Sequence, residues 1–369
     1  MFGQSIPAFT LARLIEQVGS EVAARWTHLL TASSFIGGDE VAAFERGFAE
    51  YVSAPACVAV ANGTDALTVA LRALDLEPGD EVLVPSFTFI ATAAAVVWAA
   101  GHPVFCDVDP GTLNLAPASV AERVTERTVG VIGVHLFGRP FDVDALTALC
   151  REHDLWLLED AAQAHGAAWR DRRVGTLGRL ATWSFYPSKN LGAFGDAGAL
   201  TGGDPELLER VRRIANHGRI AHYEHGEVGT NSRMDALQAA VLNVRLSRLE
   251  ADNARRREIA CRYHGYLGDL DEVTLLTDPE GTVCVYHQYT LRTSRRDALQ
   301  AALHERGVGT GVHYPLALSS QPAFAGHEPA PCPEAERAAQ EVLCLPMFPE
   351  LTDDEVAHVG ESVRAFFRD

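Results

Sequence analysis

The chain has 369 residues, 47% of them hydrophobic and 22% charged, with 49 Asp+Glu against 31 Lys+Arg and a formal net charge of -18. That composition belongs to a folded protein rather than a disordered one. It excludes a coat for DNA or RNA, which needs a basic face to neutralise phosphates, but leaves room for a small anionic ligand held by a few local donors. At about 150 residues per domain the length fits roughly two to three domains. The seven cysteines include no Cys-x-x-Cys and are expected to be small buried apolar residues of a reducing compartment. MFGQSIPAFT has neither a basic n-region nor a long apolar run, so no signal peptide is expected. The longest apolar run, Phe89 to Ala100, is too short to span a bilayer and is expected to be a buried helix.

In chain order, CVAVA (57–61) predicts a short buried strand, and TDALTVALRALDL has the apolar spacing of a helix. EVLVP (81–85) is strand-like, FIATAAAVVWAAG a helix ended by Gly101, and PVFCDV (103–108) a third strand. Helix 117–126 leads to VGVIGV (129–134), and helix 142–153 to DLWLLED (154–160). Such alternation with nearly all-apolar strands predicts a parallel sheet covered on both faces. ATWSFY (181–186) and GALTG (198–202) add two strands. From Met234 to Leu267 runs one helical stretch, about 50 Å long at 1.5 Å per residue. CVYHQYTLR (284–292), helix 296–306 and an amphipathic helix 353–367 fit a smaller α/β domain. The expected division is 1–245 and 246–369. The stretch 319–333 is expected to be an irregular surface loop.

Four features fall at the carboxyl ends of strands, where open α/β sheets bind ligands. In VAVANGTDALTVAL, Gly63 allows a tight turn and Thr64 or Asp65 starts a helix, whose free N–H groups suit a phosphate. In WLLEDAAQAHGA, a strand delivers Glu159 and Asp160 where the sheet meets solvent; a buried acid there needs a cation, such as a protonated ring nitrogen. In TWSFYPSKNLGAFGDAGAL, Lys189 lies between two apolar strands, with Ser184 and Ser188 near it, where its amine can form a Schiff base with an aldehyde. In VPSFTFIATAAAV, one of two aromatics could stack on a planar ring while the plain alternative places both in the core. A phosphate site, a stacking aromatic, an acid and a lysine are together what pyridoxal 5′-phosphate (PLP) requires.

NGTDAL, VPSFTFIATA, EDAAQAHGA, SFYPSKNLGAFGDAGA and NSRMDALQAA resemble, in order and over about residues 35–345, the DegT/DnrJ/StrS-type sugar aminotransferases. The resemblance implies a three-layer α/β fold of the aspartate aminotransferase type (fold type I), with a mostly parallel sheet covered by helices and a smaller C-terminal domain. It implies PLP as cofactor. Lys189 would be the Schiff-base lysine, Asp160 the partner of the pyridinium nitrogen and Gln163 a donor to the ring hydroxyl. Gly63, Thr64 and Ser184 would hold the phosphate, and Phe89 would stack on the ring. Asn231 would reach the phosphate of a neighbouring subunit, which makes the working unit a homodimer with shared sites.

Some family members carry His in place of the lysine and dehydrate sugars; Lys189 argues against that activity. PSKNLGAFGDAGA resembles the members that aminate C3 of a nucleotide-linked keto sugar, with L-glutamate or glutamine as donor. Amination at C4, a cyclitol substrate, or a PLP-dependent sugar dehydratase are the alternatives. HYPLALSSQPAF (313–324) resembles the family's sugar loop, although the family more often has a basic or bulky run where this chain reads LALSS. Tyr186, His313 and Tyr314 are expected near the sugar, and Arg219 and Tyr223 of NHGRIAHYEH near the nucleotide diphosphate. No metal is expected: His222 and His225 lack a third ligand, and GVGTG (307–311) lacks the nucleotide-loop spacing. No nucleic-acid or membrane partner is expected, and the setting is cytoplasmic. With an anionic cofactor and substrate, the acidity should lie outside, around a pocket made locally positive by Lys189, the helix start at Thr64, and Arg219.

Overall fold

A computed structural model describes residues 5–327 and 329–368. Its centre is a seven-stranded sheet of β1 (Ala56–Val60), β2 (Glu81–Pro85), β3 (His102–Cys106), β4 (Thr128–Val134), β5 (Trp156–Asp160), β6 (Leu180–Ser184) and β7 (Gly198–Gly202), in the order β1-β7-β6-β5-β4-β2-β3. The neighbours from β3 to β6 pair in parallel. β7 runs antiparallel to both β1 and β6, so the sheet is mostly parallel, as expected.

The apolar strands follow from two covered faces. Val58, Val60, Val82, Val84, Ile132, Val134, Leu158 and Leu200 join one buried cluster. The residues between them, among them Cys57, Ala59, Leu83, Val131, Leu157, Ala181 and Ala199, join the other. This is the period-two alternation of a strand with both sides buried. Gly130 makes one close approach possible: a Cβ there would lie 2.1 Å from the Trp156 ring on the neighbouring strand.

The helices are α1 (Ala12–Ala32), α2 (Gly38–Val52), α3 (Gly63–Ala73), α4 (Ala91–Trp98), α5 (Pro117–Ala121), α6 (Val143–Glu152), α7 (Pro205–Ala215), α8 (Ala236–Leu246), α9 (Leu249–Leu267), α10 (Arg296–Glu305), α11 (Pro333–Glu341) and α12 (Asp353–Arg368). A smaller sheet, β8 (Thr274–Leu275), β9 (Tyr289–Arg292) and β10 (Val342–Leu345), is antiparallel. A further buried cluster gathers Ile259, Tyr263, Leu291, Leu303, Leu343, Val356 and Val359. Ile6 belongs to that cluster too and bridges to Val308.

Several expectations change. The helix over 234–267 is two helices broken at Ser247–Arg248, where the Ser247 hydroxyl donates to the Val244 carbonyl and competes with the helical ladder. The helix expected over 117–126 stops at Ala121; the Thr128 hydroxyl accepts from Thr125 N–H and closes a turn. Of CVYHQYTLR, only Tyr289–Arg292 runs in the small sheet. The apolar run after Phe89 is buried on one side, with Phe89 and Trp98 exposed. Stretch 319–333 is no free loop: it holds 3-10 turns, buries Phe324 and Cys332, and bonds Ser319 to Ser86. All seven cysteines are unpaired; Cys261 differs from the rest in being exposed. Among the described residues, no helix is long and apolar enough to cross a membrane.

Candidate active site

The strand ends β1, β2, β4, β5 and β6 open on a cavity of about 750 Å³. Gly63, Thr64, Phe89, Asp160, Gln163, Ser184, Tyr186, Lys189, His313 and Tyr314 all line it. Segments up to 251 residues apart in sequence, from Gly63 to Tyr314, thus converge on one space.

At its β1 edge, α3 begins at Gly63, one residue before the expected start, and the cap is Asn62: its side chain accepts from Asp65 N–H at 2.8 Å. Ala66 N–H bonds the Asn62 carbonyl. Gly63 and Thr64 N–H therefore precede the first intrahelical bond, beside the Thr64 and Ser184 hydroxyls. A Cβ on Gly63 would lie 2.6 Å from Ser184 Cβ, so glycine is required for the approach.

Glu159 and Asp160 do not meet solvent; they are 0% and 6% exposed. Successive strand residues point to opposite faces. Glu159 faces away from the cavity, where it accepts from Gly175, Leu177 and Gly178 N–H and contacts His135 Nε2 at 3.2 Å. Asp160 faces the cavity and accepts from the Thr92 hydroxyl at 2.9 Å and from Ala162 N–H at 3.2 Å. Burial raises its pKa, against the opposing pull of those two donors and of Lys189.

Lys189 sits half-buried between β6 and β7. Desolvation lowers its pKa to about 8, with Asp160 opposing. Among the described residues the amine makes no hydrogen bond or ion pair, and no contact joins it to Asp160. A buried acid with no cation in contact, an amine with no hydrogen-bond partner and a glycine-lined helix start fit PLP. Asp160 would hold the ring nitrogen, Lys189 the aldehyde carbon and the Gly63–Thr64 turn the phosphate. Bound there, the cofactor supplies an electron sink.

The Gln163 amide is oriented by the backbone: its Oε1 accepts from Phe137 N–H at 2.6 Å, which turns Nε2 toward the Tyr314 hydroxyl at 3.2 Å. Burial raises the Tyr314 pKa. Its hydroxyl accepts from Gln163 and keeps its own proton to donate into the cavity. Of the two aromatics after β2, Phe87 is core and Phe89 is 53% exposed on the cavity wall, its ring 6.0 Å from that of Tyr314.

Asn231, Arg219 and Tyr223 do not line this cavity. Arg219 and Tyr223 lie on an exposed hairpin (Arg219–Ala221 with Glu224–His225), where Tyr223 is 84% exposed at the tip. Asn231 is exposed and bridges to Asn216. His222 contacts Arg219, and His225 the His217 carbonyl. The pocket is not lined by excess positive side chains either. Lys189 is set against Asp65, Asp160 and Asp196, so an anion bound there would rely on N–H and O–H donors. Sequence reasoning missed Phe137, Asp196, His287 and Gln288 on the wall, and Thr92, whose hydroxyl hides within an apolar run.

In cofactor-free protein, Lys189 labelling by an aldehyde with borohydride is expected to rise with pH through a midpoint of about 8, since only the neutral amine reacts. An ordinary lysine gives about 10.4. Asp160→Asn removes the charge that supports the ammonium, so the midpoint moves lower still. Mass spectrometry of the labelled peptide reads it, and a midpoint at the ordinary lysine value refutes the desolvated amine.

Fold and site together define a PLP-dependent transferase. The family model for the DegT/DnrJ/EryC1/StrS aminotransferases matches residues 16–364, and the chain belongs to that family. It is 43% identical to a "pleiotropic regulatory protein" of Geobacillus stearothermophilus, over 99% of each chain. It is 42% identical to the dTDP-3-amino-3,4,6-trideoxy-alpha-D-glucose transaminase of Streptomyces venezuelae, over 97% of this chain and 95% of that one. A crystal structure of S. venezuelae DesV in complex with a ketimine intermediate superposes with a TM-score of 0.97 at 42% identity, over 99% of both chains.

Proposed function

We propose that this aminotransferase moves an amino group from L-glutamate or glutamine to the C3 ketone of a nucleotide-linked keto sugar, in amino-sugar biosynthesis. The observation that carries the transfer chemistry is the pair Lys189 and Asp160, both opening on one cavity without contact between them. Lys189 would carry the proton at its Nζ during the transfer, and its lowered pKa suits both taking and releasing it near neutrality. Asp160 would hold a protonated ring nitrogen. The C3 position is supported by the 3-amino product in the name of the S. venezuelae relative. A purely regulatory role, which the Geobacillus name suggests, has no use for a desolvated amine facing a buried carboxylate.

The working unit in this proposal is a homodimer in the cytoplasm. The exposed hairpin and the loop after it carry Ile220, Tyr223 and Val228, at 54%, 84% and 83% exposure, an apolar surface suited to a second copy. Arg219, Tyr223 and Asn231 would act there, on the partner's site. The proposed domains are 1–245 and 246–369, supported by the helix break at Ser247–Arg248 and by the separate cluster around Tyr263.

The test is a panel of dTDP- and UDP-linked 3-keto and 4-keto sugars offered to the PLP-loaded protein with glutamate. The expected result is loss of the visible absorption on adding glutamate and its return with 3-keto sugars. Return with 4-keto sugars alone overturns the C3 assignment; no response to glutamate or glutamine overturns the donor.

A further inference from the structure

Behind the cavity, buried amides link the large sheet to α9. Asn253 is 0% exposed. Its Nδ2 donates to the His165 carbonyl at 2.7 Å, and its Oδ1 accepts from Asn190 Nδ2 at 2.9 Å. Asn190, which follows Lys189, donates from that same nitrogen to the Val285 carbonyl at 2.9 Å. Backbone carbonyls are acceptors only, so His165 fixes which end of the Asn253 amide is nitrogen and Val285 does the same for Asn190. Both N–H groups of Asn190 are then committed, and its Oδ1 is left to accept. His287 Nδ1 lies 3.3 Å from that oxygen. Two acceptors cannot bond each other, so the proton sits on Nδ1.

His287 is 6% exposed and lines the cavity. The charged groups that act on it most strongly are Lys189, Arg256, His165 and His313, none of them an acid. Burial, together with those groups, holds its pKa well below the ordinary histidine range, so the ring takes no second proton near neutrality. A neutral imidazole protonated at Nδ1 carries a lone pair on Nε2. That nitrogen has no partner among the described residues.

We propose that His287 is a further substrate-binding residue, whose Nε2 accepts a hydrogen bond from an O–H or N–H of the bound substrate, with Asn190 and Asn253 as positioning residues that set its tautomer. The proposal rests on reading the cavity as the active site. A lone pair repels phosphate and carboxylate oxygens, so the His287 corner takes a sugar hydroxyl or the amino group in transfer. Phosphate belongs across the cavity, at the Gly63–Thr64 turn.

The tautomer is read without cofactor or substrate, by nitrogen NMR of the full-length protein labelled with 15N-histidine, with His287→Gln identifying the signal. The expected spectrum is a neutral ring protonated at Nδ1 from mildly acidic to mildly alkaline pH. In Asn190→Ala, which removes the oxygen that accepts from Nδ1, the single tautomer gives way to a mixture. A ring protonated at Nε2, or one titrating near neutrality, overturns the proposal whether or not the protein proves to be an aminotransferase. In the loaded enzyme, His287→Phe removes the acceptor and is expected to cost about tenfold in kcat/KM, the worth of one neutral hydrogen bond. His287→Gln, which keeps an acceptor, recovers part of it. A rise in KM confined to the keto sugar identifies the hydroxyl; a fall in kcat with glutamate identifies the amino group. Full activity of His287→Phe with both substrates overturns the assignment. If that variant does not fold, the spectrum of the natural chain still decides.

Discussion

Replacing Lys189 with alanine is expected to lower amino transfer about a thousandfold or more, because it removes both the group that takes the aldehyde and the group that moves the proton. Stability should not fall. The amine makes no hydrogen bond or ion pair among the described residues, so truncation strands no partner, and at neutral pH the fold no longer carries a desolvated ammonium whose pKa burial lowers to about 8. Urea unfolding of the cofactor-free proteins measures that, and single-turnover loss of the visible absorption with glutamate measures the chemistry. Lys189→Arg separates charge from proton transfer: it keeps a cation in place but cannot deprotonate near neutrality. It should be as inactive as the alanine variant. If Lys189→Arg works at more than a small fraction of the natural rate, Lys189 supplies only charge, and the proposed role is wrong.

The candidate site was legible in the sequence because its groups sit at strand ends, and strand ends are where apolar runs stop. Asp160 follows Trp156–Leu158, Ser184 closes β6 and Gly63 follows Asn62 just past β1. The two-sided burial of the strands was legible for the same reason. What remained hidden depends on contacts distant in sequence. Gln163 is oriented by Phe137 and meets Tyr314, 151 residues on. His287 takes its meaning from Asn190 and Asn253, and in CVYHQYTLR it reads as one more strand residue. Thr92 looks like a tolerated polar residue in an apolar helix until β5 places Asp160 against it. The break in 234–267 was invisible to periodicity because neither Pro nor Gly marks it; the Ser247 hydroxyl competing for a carbonyl makes it.

Adjacent carboxylates on β5 should respond in opposite ways to neutralisation. Glu159→Ala leaves the N–H groups of Gly175, Leu177 and Gly178 buried without an acceptor. At about 1–3 kcal/mol for each stranded group, partly relieved by relaxation, the expected loss is about 3 to 5 kcal/mol. That is a large share of the roughly 5–15 kcal/mol that holds a typical domain. Glu159→Gln should lose less, since its oxygen still accepts from Leu177 and Gly178 while its NH₂ faces the Gly175 N–H. Asp160→Asn keeps the shape and the contact with Thr92 but removes the charge. Activity should fall about 10²- to 10³-fold, as for the loss of one preorganised electrostatic partner. The cofactor-free fold should be no less stable. Asp160 has a raised folded pKa, so the folded state holds its proton more tightly than the unfolded chain does. Stability therefore falls as pH rises from the unfolded value, about 3.9, through the folded one. Above that window the natural protein carries the full penalty and the Asn variant none. Urea unfolding at neutral pH and again below pH of about 3.9 checks this: any advantage of Asp160→Asn must shrink in acid. Should Asp160→Asn instead unfold the protein while Glu159→Ala leaves it stable, the assignment of one carboxylate to the cavity and the other to the fold is reversed.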